Sequence, residues 1–98
     1  MAAGPLIVGL GGTTRDGSQS EFALGVALRA AADAGAEVVS FTGRQLALPF
    51  YVPGGAPDPA AEHLIACLRG CDGVIVATPS YHGGISGMIK NALDYTEE

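Results

Sequence analysis

Gly11-Gly12-Thr13-Thr14-Arg15-Asp16-Gly17-Ser18-Gln19-Ser20 lies between an apolar run, Leu6-Ile7-Val8-Gly9-Leu10, and an apolar-periodic segment that begins at Glu21. A loop in that position joins a strand to a helix. Glycines let the backbone approach an anion, the N–H groups at a helix start point outward unpaired, and the helix dipole adds partial positive charge. Hydroxyls at Thr13, Thr14, Ser18 and Ser20 and the guanidinium of Arg15 supply further donors suited to a phosphate monoester. The stretch therefore reads as a phosphate loop at the end of a strand.

Outward from this loop the elements alternate. Leu6 to Leu10 is apolar throughout, as expected of a parallel strand covered on both faces. Ser18 and Glu21 fit a capping box, and the spacing predicts a helix from about Gln19 to Ala34. Phe22, Val26 and Ala30 are expected to face inward, joined by Leu24 and Leu28, and Gly35 to end the helix. Glu37 to Phe41 is a second strand, rich in β-branched and aromatic residues.

Between Thr42 and Pro57 the glycines and prolines at 43, 49, 53, 54, 55 and 57 exclude a helix or central strand. Within that loop Leu46-Ala47-Leu48-Pro49-Phe50-Tyr51 is too apolar to be plainly solvated. Leu48 and Phe50 either plug the core or line an interface or site rim. Asp58-Pro59 opens the next helix, with Leu64, Ile65 and Leu68 as its inner stripe and Gly70 at its close. Gly73 to Ala77 is a third strand, which leads into the loop Thr78-Pro79-Ser80-Tyr81-His82-Gly83-Gly84. Ile85, Ile89 and Leu93 then recur at helical spacing, predicting a third helix from about Ser86 to the last residues.

Composition bounds the function classes. With 98 residues, 48% of them hydrophobic and 15% charged, the chain is one domain with a buried core and not a disordered segment. A net charge of −5, with five basic residues spread singly, leaves no basic stripe for nucleic acid or acidic lipid. No apolar run approaches the roughly 18 residues that span a bilayer, and Met1-Ala2-Ala3-Gly4-Pro5 lacks the basic region of a secretory signal. A cytoplasmic protein is expected, with Cys67 and Cys71 as reduced thiols and His63 an ordinary surface or half-buried histidine.

Strand, helix, strand, helix, strand, helix with short connections implies parallel strands and right-handed crossovers. With the first strand central and the other two on either side, the winding reverses between the first and third strands, where ligands sit in doubly wound sheets. The loops that begin at Gly11 and Thr78 then become neighbours. One is suited to hold a phosphate and the other to offer a proline, an aromatic and an imidazole to a flat ring. The dinucleotide fingerprint is not met, because Thr14 stands where its last glycine belongs. Without a Gly-Lys-Ser/Thr tripeptide, a P-loop triphosphatase is excluded.

Gly12-Thr13-Thr14-Arg15-Asp16-Gly17-Ser18 resembles the Gly-Ser-x-Arg-x-x-Ser phosphate loop of the NAD(P)H-dependent FMN reductase family. The segment from Thr78 to Tyr95 is similar to that family's flavin loop and following helix, and Leu48-Pro49-Phe50-Tyr51 to its Leu-Pro segment after the second strand. The resemblance covers almost the whole chain in the family's order. It implies a flavodoxin-like doubly wound parallel sheet, non-covalent FMN, NAD(P)H as co-substrate, a small-molecule electron acceptor, and a homodimer or homotetramer with the site near a subunit boundary.

Carried onto this chain, the resemblance assigns the FMN phosphate to Thr13, Arg15, Ser18, Gln19 and Ser20. Pro79, Ser80, Tyr81, His82 and Gly83 would line the isoalloxazine and ribityl chain, while Lys90 to Asp94 is a packing and interface segment. Two positions depart from the family's pattern: Ser80 stands where a carboxylate is frequent and Ser86 where proline is frequent. The family also continues into two more strands, so these three strands and three helices are expected to be the N-terminal portion of a five-stranded domain. The expected function is hydride transfer from a nicotinamide to FMN and on to an acceptor such as flavin or quinone. A non-enzymatic FMN-binding or electron-transfer module is the alternative.

Overall fold

The computed structural model describes residues 4–15 and 17–96. Met1, Ala2, Ala3, Asp16, Glu97 and Glu98, on which parts of the N-terminal, phosphate-loop and third-helix readings fall, lie outside the described residues. The elements run β1 (Leu6–Gly11), α1 (Gln19–Asp33), β2 (Glu37–Phe41), a 3₁₀ turn (Gly43–Gln45), α2 (Pro59–Gly70), β3 (Gly73–Ala77) and α3 (Gly87–Asp94). The sheet has three parallel strands in the order β2-β1-β3, so the central strand is β1 and the winding reverses between β1 and β3 as expected.

Strand register assigns the two faces. Val8 pairs with Val39 and Val74, and Leu10 with Phe41 and Val76, so these side chains share one face. There Val8, Leu10 and Phe41 form a buried core with Leu46, Leu64 of α2, and Ile89 and Ala92 of α3. The other face is covered by α1. Gly9 carries no side chain, and a Cβ placed there would lie 2.7 Å from Leu28 Cδ1 and 3.1 Å from Leu24 Cδ1. The glycine makes the socket into which these two leucines fit.

That socket corrects the expected stripe of α1. Leu24 and Leu28 are buried, whereas Phe22 is 75% and Val26 55% exposed and Ala30 also faces outward. In α3 the buried residues are Ile89 and Ala92, while Leu93 is exposed and Ile85, also exposed, precedes the helix. The apolar loop after β2 divides: Leu48 packs against the core, and Phe50 is 86% exposed.

Helix starts follow their caps. Ser18 Oγ accepts the Glu21 N–H at 3.1 Å, Asp58 Oδ2 the Ala61 N–H at 2.9 Å and Ser86 Oγ the Ile89 N–H at 3.3 Å. Cys67 and Cys71 are free thiols, half-buried, and the Cys71 thiol donates to the Leu68 carbonyl. His63 is exposed, its ring 5.5 Å from that of Phe41. Among the described residues no helix is long and apolar enough to cross a membrane, no cluster of side chains is suited to a metal ion, and no strand pairs with the outer edge of β3.

Candidate functional site

Beyond the carboxyl ends of β1 and β3 the two loops meet. Gly12 N donates to Ala77 O at 2.9 Å, which binds the tip of β1 to the tip of β3 just where each loop departs. Gly12 admits no side chain, since a Cβ would stand 2.6 Å from Ile89 Cγ1, 2.7 Å from Ser86 Oγ and 3.0 Å from Thr78 Oγ1. The close approach of the two chains at this point requires the glycine.

A cavity of about 630 Å³ opens between the loops, lined by Thr13, Arg15, Gly17, Ser18, Gln19, Ser20, Thr78, Pro79 and Tyr81. It brings together seven of the residues expected from the sequence: Thr13, Arg15, Ser18, Gln19, Ser20, Pro79 and Tyr81. Ser80, His82 and Gly83 do not line it and are exposed on the turn beyond. The lining adds Gly17, whose φ of 69° lies in the left-handed region that favours glycine, and Thr78, the first residue of the second loop. Gly17 is legible as a turn residue and Thr78 as the start of the second loop, but neither is among the residues expected to hold the cofactor.

The first loop is organised by hydroxyls. Thr13 is buried and its Oγ1 accepts the Arg15 N–H at 3.1 Å, which turns the chain and leaves Arg15 exposed. Ser18 Oγ caps α1 and lies 3.2 Å from Ser20 Oγ. The fifteen residues of α1 then aim the positive end of their dipole at the cavity. Among the described residues that line it there is no carboxylate, and their donors and charge favour an anion.

The second loop folds back on itself. Tyr81 and Gly84 exchange backbone hydrogen bonds, N to O, at 3.1 and 3.0 Å, and the two residues between them, His82 and Gly83, have φ of 54° and 78°. Positive φ at both central positions is the pattern of a type I′ turn. The turn uses the N–H groups of Tyr81 and Gly84 and leaves those of His82 and Gly83 outside its own pair.

A second concavity, about 730 Å³, lies between the 49–57 loop, the start of α2 and Tyr95. Its charged lining residues are Asp58 and Glu62, and none of the expected site residues borders it.

Residues 5–98 match the model of the NADPH-dependent FMN reductase family. The chain belongs to that family. It is 31% identical over 93 residues to an FMN reductase (NADPH) of Pseudomonas putida, an alignment that covers 95% of this chain and 47% of the relative. It is 44% identical over 36 residues to an NADPH azoreductase of Bacillus sp. (strain OY1-2), covering 37% of this chain and 20% of that one. The apo form of an NADH:FMN oxidoreductase (EMOB) superposes with a TM-score of 0.71 at 24% identity, over 93% of this chain and 49% of that structure. The fold is thus the flavodoxin-like α/β fold of the family. The chain spans about half the length of the FMN reductase and of the solved structure.

Proposed function

We propose that the protein is an FMN-dependent NAD(P)H oxidoreductase, passing hydride from a nicotinamide to bound FMN and electrons on to a small acceptor such as a flavin or quinone. The observation that carries this reading is the single cavity in which the hydroxyl and arginine loop at the start of α1 faces Pro79 and Tyr81. Its donor set fits FMN. Hydroxyls, a guanidinium and a helix N-terminus suit a phosphate dianion, and a proline and a tyrosine suit a flat ring.

In this reading Arg15, Thr13, Ser18, Gln19 and Ser20 hold the phosphate, with the α1 dipole behind them. Pro79 and Tyr81 flank the ring, while Ser80, His82 and Gly83 meet it or the acceptor from the rim of the turn. Bound FMN supplies the hydride and electron chemistry. The chain would supply its orientation through these residues. In this reading Tyr81, from the cavity wall, and His82, from the exposed turn beyond it, would donate hydrogen bonds to an acceptor as it gains charge.

The 98 residues form one flavodoxin-like unit, and in this reading they make up the N-terminal part of a larger domain. Relatives twice as long, and the outer edge of β3 with Val74 and Val76 about 45% exposed, support this. We read the protein as cytoplasmic and as a homodimer or homotetramer. The exposure of Phe50 and Val52 supports assembly, since subunit contact would cover both.

The test is to mix the purified protein with FMN, desalt it, and add NADPH without oxygen. Retained yellow colour that bleaches is the expected result. Colour that survives NADPH would identify a flavin carrier without reductase activity, and colour lost on desalting would overturn the FMN site.

A further inference from the structure

The seven residues 79–85 of the second loop are held at both ends by one hydroxyl. Thr78 Oγ1 donates to the Pro79 carbonyl at 2.9 Å and accepts the backbone N–H of Ser86, also at 2.9 Å. Ser86 is 1% exposed, so its N–H has no water to turn to if that oxygen is removed. The same residue caps α3 through its own Oγ. The hydroxyl therefore ties the start of the loop to the start of a helix, and it does so against Gly12, where a Cβ would lie 3.0 Å from it.

Resting on the FMN reading, we infer that Thr78 is a positioning residue: its hydroxyl sets where Pro79 and Tyr81 stand relative to the flavin ring, independently of the loop that holds the phosphate. Thr78 borders the cavity, yet its one donor and one of its two acceptor lone pairs serve the protein backbone. Its effect on the ligand passes through the residues that follow it. The bond it accepts also depends on residue 86 having an N–H, which a proline would not supply. Ser86 has φ −67° and ψ 154°, a conformation that proline also adopts, so this dependence can be tested by substitution.

The experiment compares FMN with riboflavin, which lacks the phosphate, by flavin fluorescence titration of the full chain. It includes the Thr78→Val, Thr78→Ser and Arg15→Gln variants, with thermal melting of the flavin-free proteins alongside. Thr78→Val is expected to weaken both flavins by the same factor, roughly tenfold, the scale of one buried hydrogen-bond partner lost. Thr78→Ser should stay within about twofold of the parent, and Arg15→Gln should weaken FMN while sparing riboflavin. At saturating FMN the midpoint potential and visible spectrum should change in Thr78→Val and not in Thr78→Ser, which a loss of stability alone would not produce. In a Ser86→Pro background the cost of Thr78→Val should shrink, because the N–H it serves is already gone and only the bond to the Pro79 carbonyl is left to lose.

Parent-like binding of both flavins by Thr78→Val overturns the inference. So does Thr78→Ser as weak as Thr78→Val, a comparison that still decides if the valine variant fails to fold and the serine variant binds poorly. A loss confined to FMN would move Thr78 to the phosphate end and also overturn it. A parent protein that binds neither flavin would instead overturn the FMN reading on which the inference rests.

Discussion

Asn91 Oδ1 accepts the backbone N–H of Tyr51 at 2.8 Å, across forty positions of sequence. Its Nδ2 donates to the carbonyls of Leu48 at 3.2 Å and Pro49 at 3.0 Å, and the Tyr95 hydroxyl adds a bond to Pro49 O at 2.6 Å. One face of α3 thus holds the apolar loop after β2 by its backbone, and Phe50 is left pointing away from the core. Beyond its short 3₁₀ turn this loop, with three prolines, has few other sources of order.

Asn91→Ala should destabilise the protein by about 1–3 kcal/mol, because the Leu48 carbonyl and the Tyr51 N–H lose the Asn91 amide and Pro49 O keeps only its bond from Tyr95. For a chain of this size each kcal/mol lowers the melting midpoint by roughly 4–8 °C. Asn91→Asp should cost a similar amount, since a carboxylate can serve Tyr51 but has no N–H for Leu48 or Pro49. Thermal unfolding of the two variants checks this, and an aspartate variant as stable as the parent would show that the two donated bonds carry nothing.

Two glycine-to-alanine changes should have opposite signs. Gly12→Ala drives a methyl into Ile89 and Ser86, with distances of 2.6 and 2.7 Å, and should cost about 1–3 kcal/mol as β1 and β3 part at the site. Gly25, inside α1, has no positive φ and nothing within 4 Å of the place a methyl would take, so Gly25→Ala should stabilise by about 0.5–1 kcal/mol. Chemical denaturation midpoints with unchanged slopes would confirm the pair.

Much of this architecture is legible in the sequence, and its failures have a common cause. The second and third strands, the starts of α1 and α2 and the meeting of two distant loops follow from local runs, caps and the crossover rule. Which face of α1 is buried does not. Phe22-Val26-Ala30 and Leu24-Leu28 are both apolar rows at helical spacing on opposite sides of an alanine-rich helix. The choice is made by the missing side chain of Gly9, a contact between elements that no window along α1 contains. The role of Thr78 escapes a reading of the sequence for the same reason, because its significance lies in Ser86 and Gly12 and not in its neighbours.

That difference is measurable. In the 98-residue chain Leu24→Ala should cost about 2–5 kcal/mol by opening a cavity beside Gly9, whereas Phe22→Ala should stay within about 1 kcal/mol. A larger loss at Phe22 than at Leu24 would mean that α1 is rotated from the orientation described.

Ser18 has two expected duties, and substitution can separate them. Its Oγ caps α1 at Glu21 N, and in the proposed function the same hydroxyl faces the FMN phosphate. Ser18→Ala should lose about 1 kcal/mol of stability and weaken FMN. Ser18→Asp keeps a good cap and gains favourable charge at the helix start, so stability should hold or rise slightly. FMN affinity should nevertheless fall further than in the alanine variant, because a carboxylate now faces a phosphate and can donate nothing to it. Asp58→Ala, which removes the equivalent cap of α2 at Ala61 N, should lose the same stability and leave FMN binding unchanged. Melting curves and FMN titrations on the three proteins check both duties. An aspartate variant that binds FMN as well as the parent would remove Ser18 from the phosphate site while leaving its capping role intact.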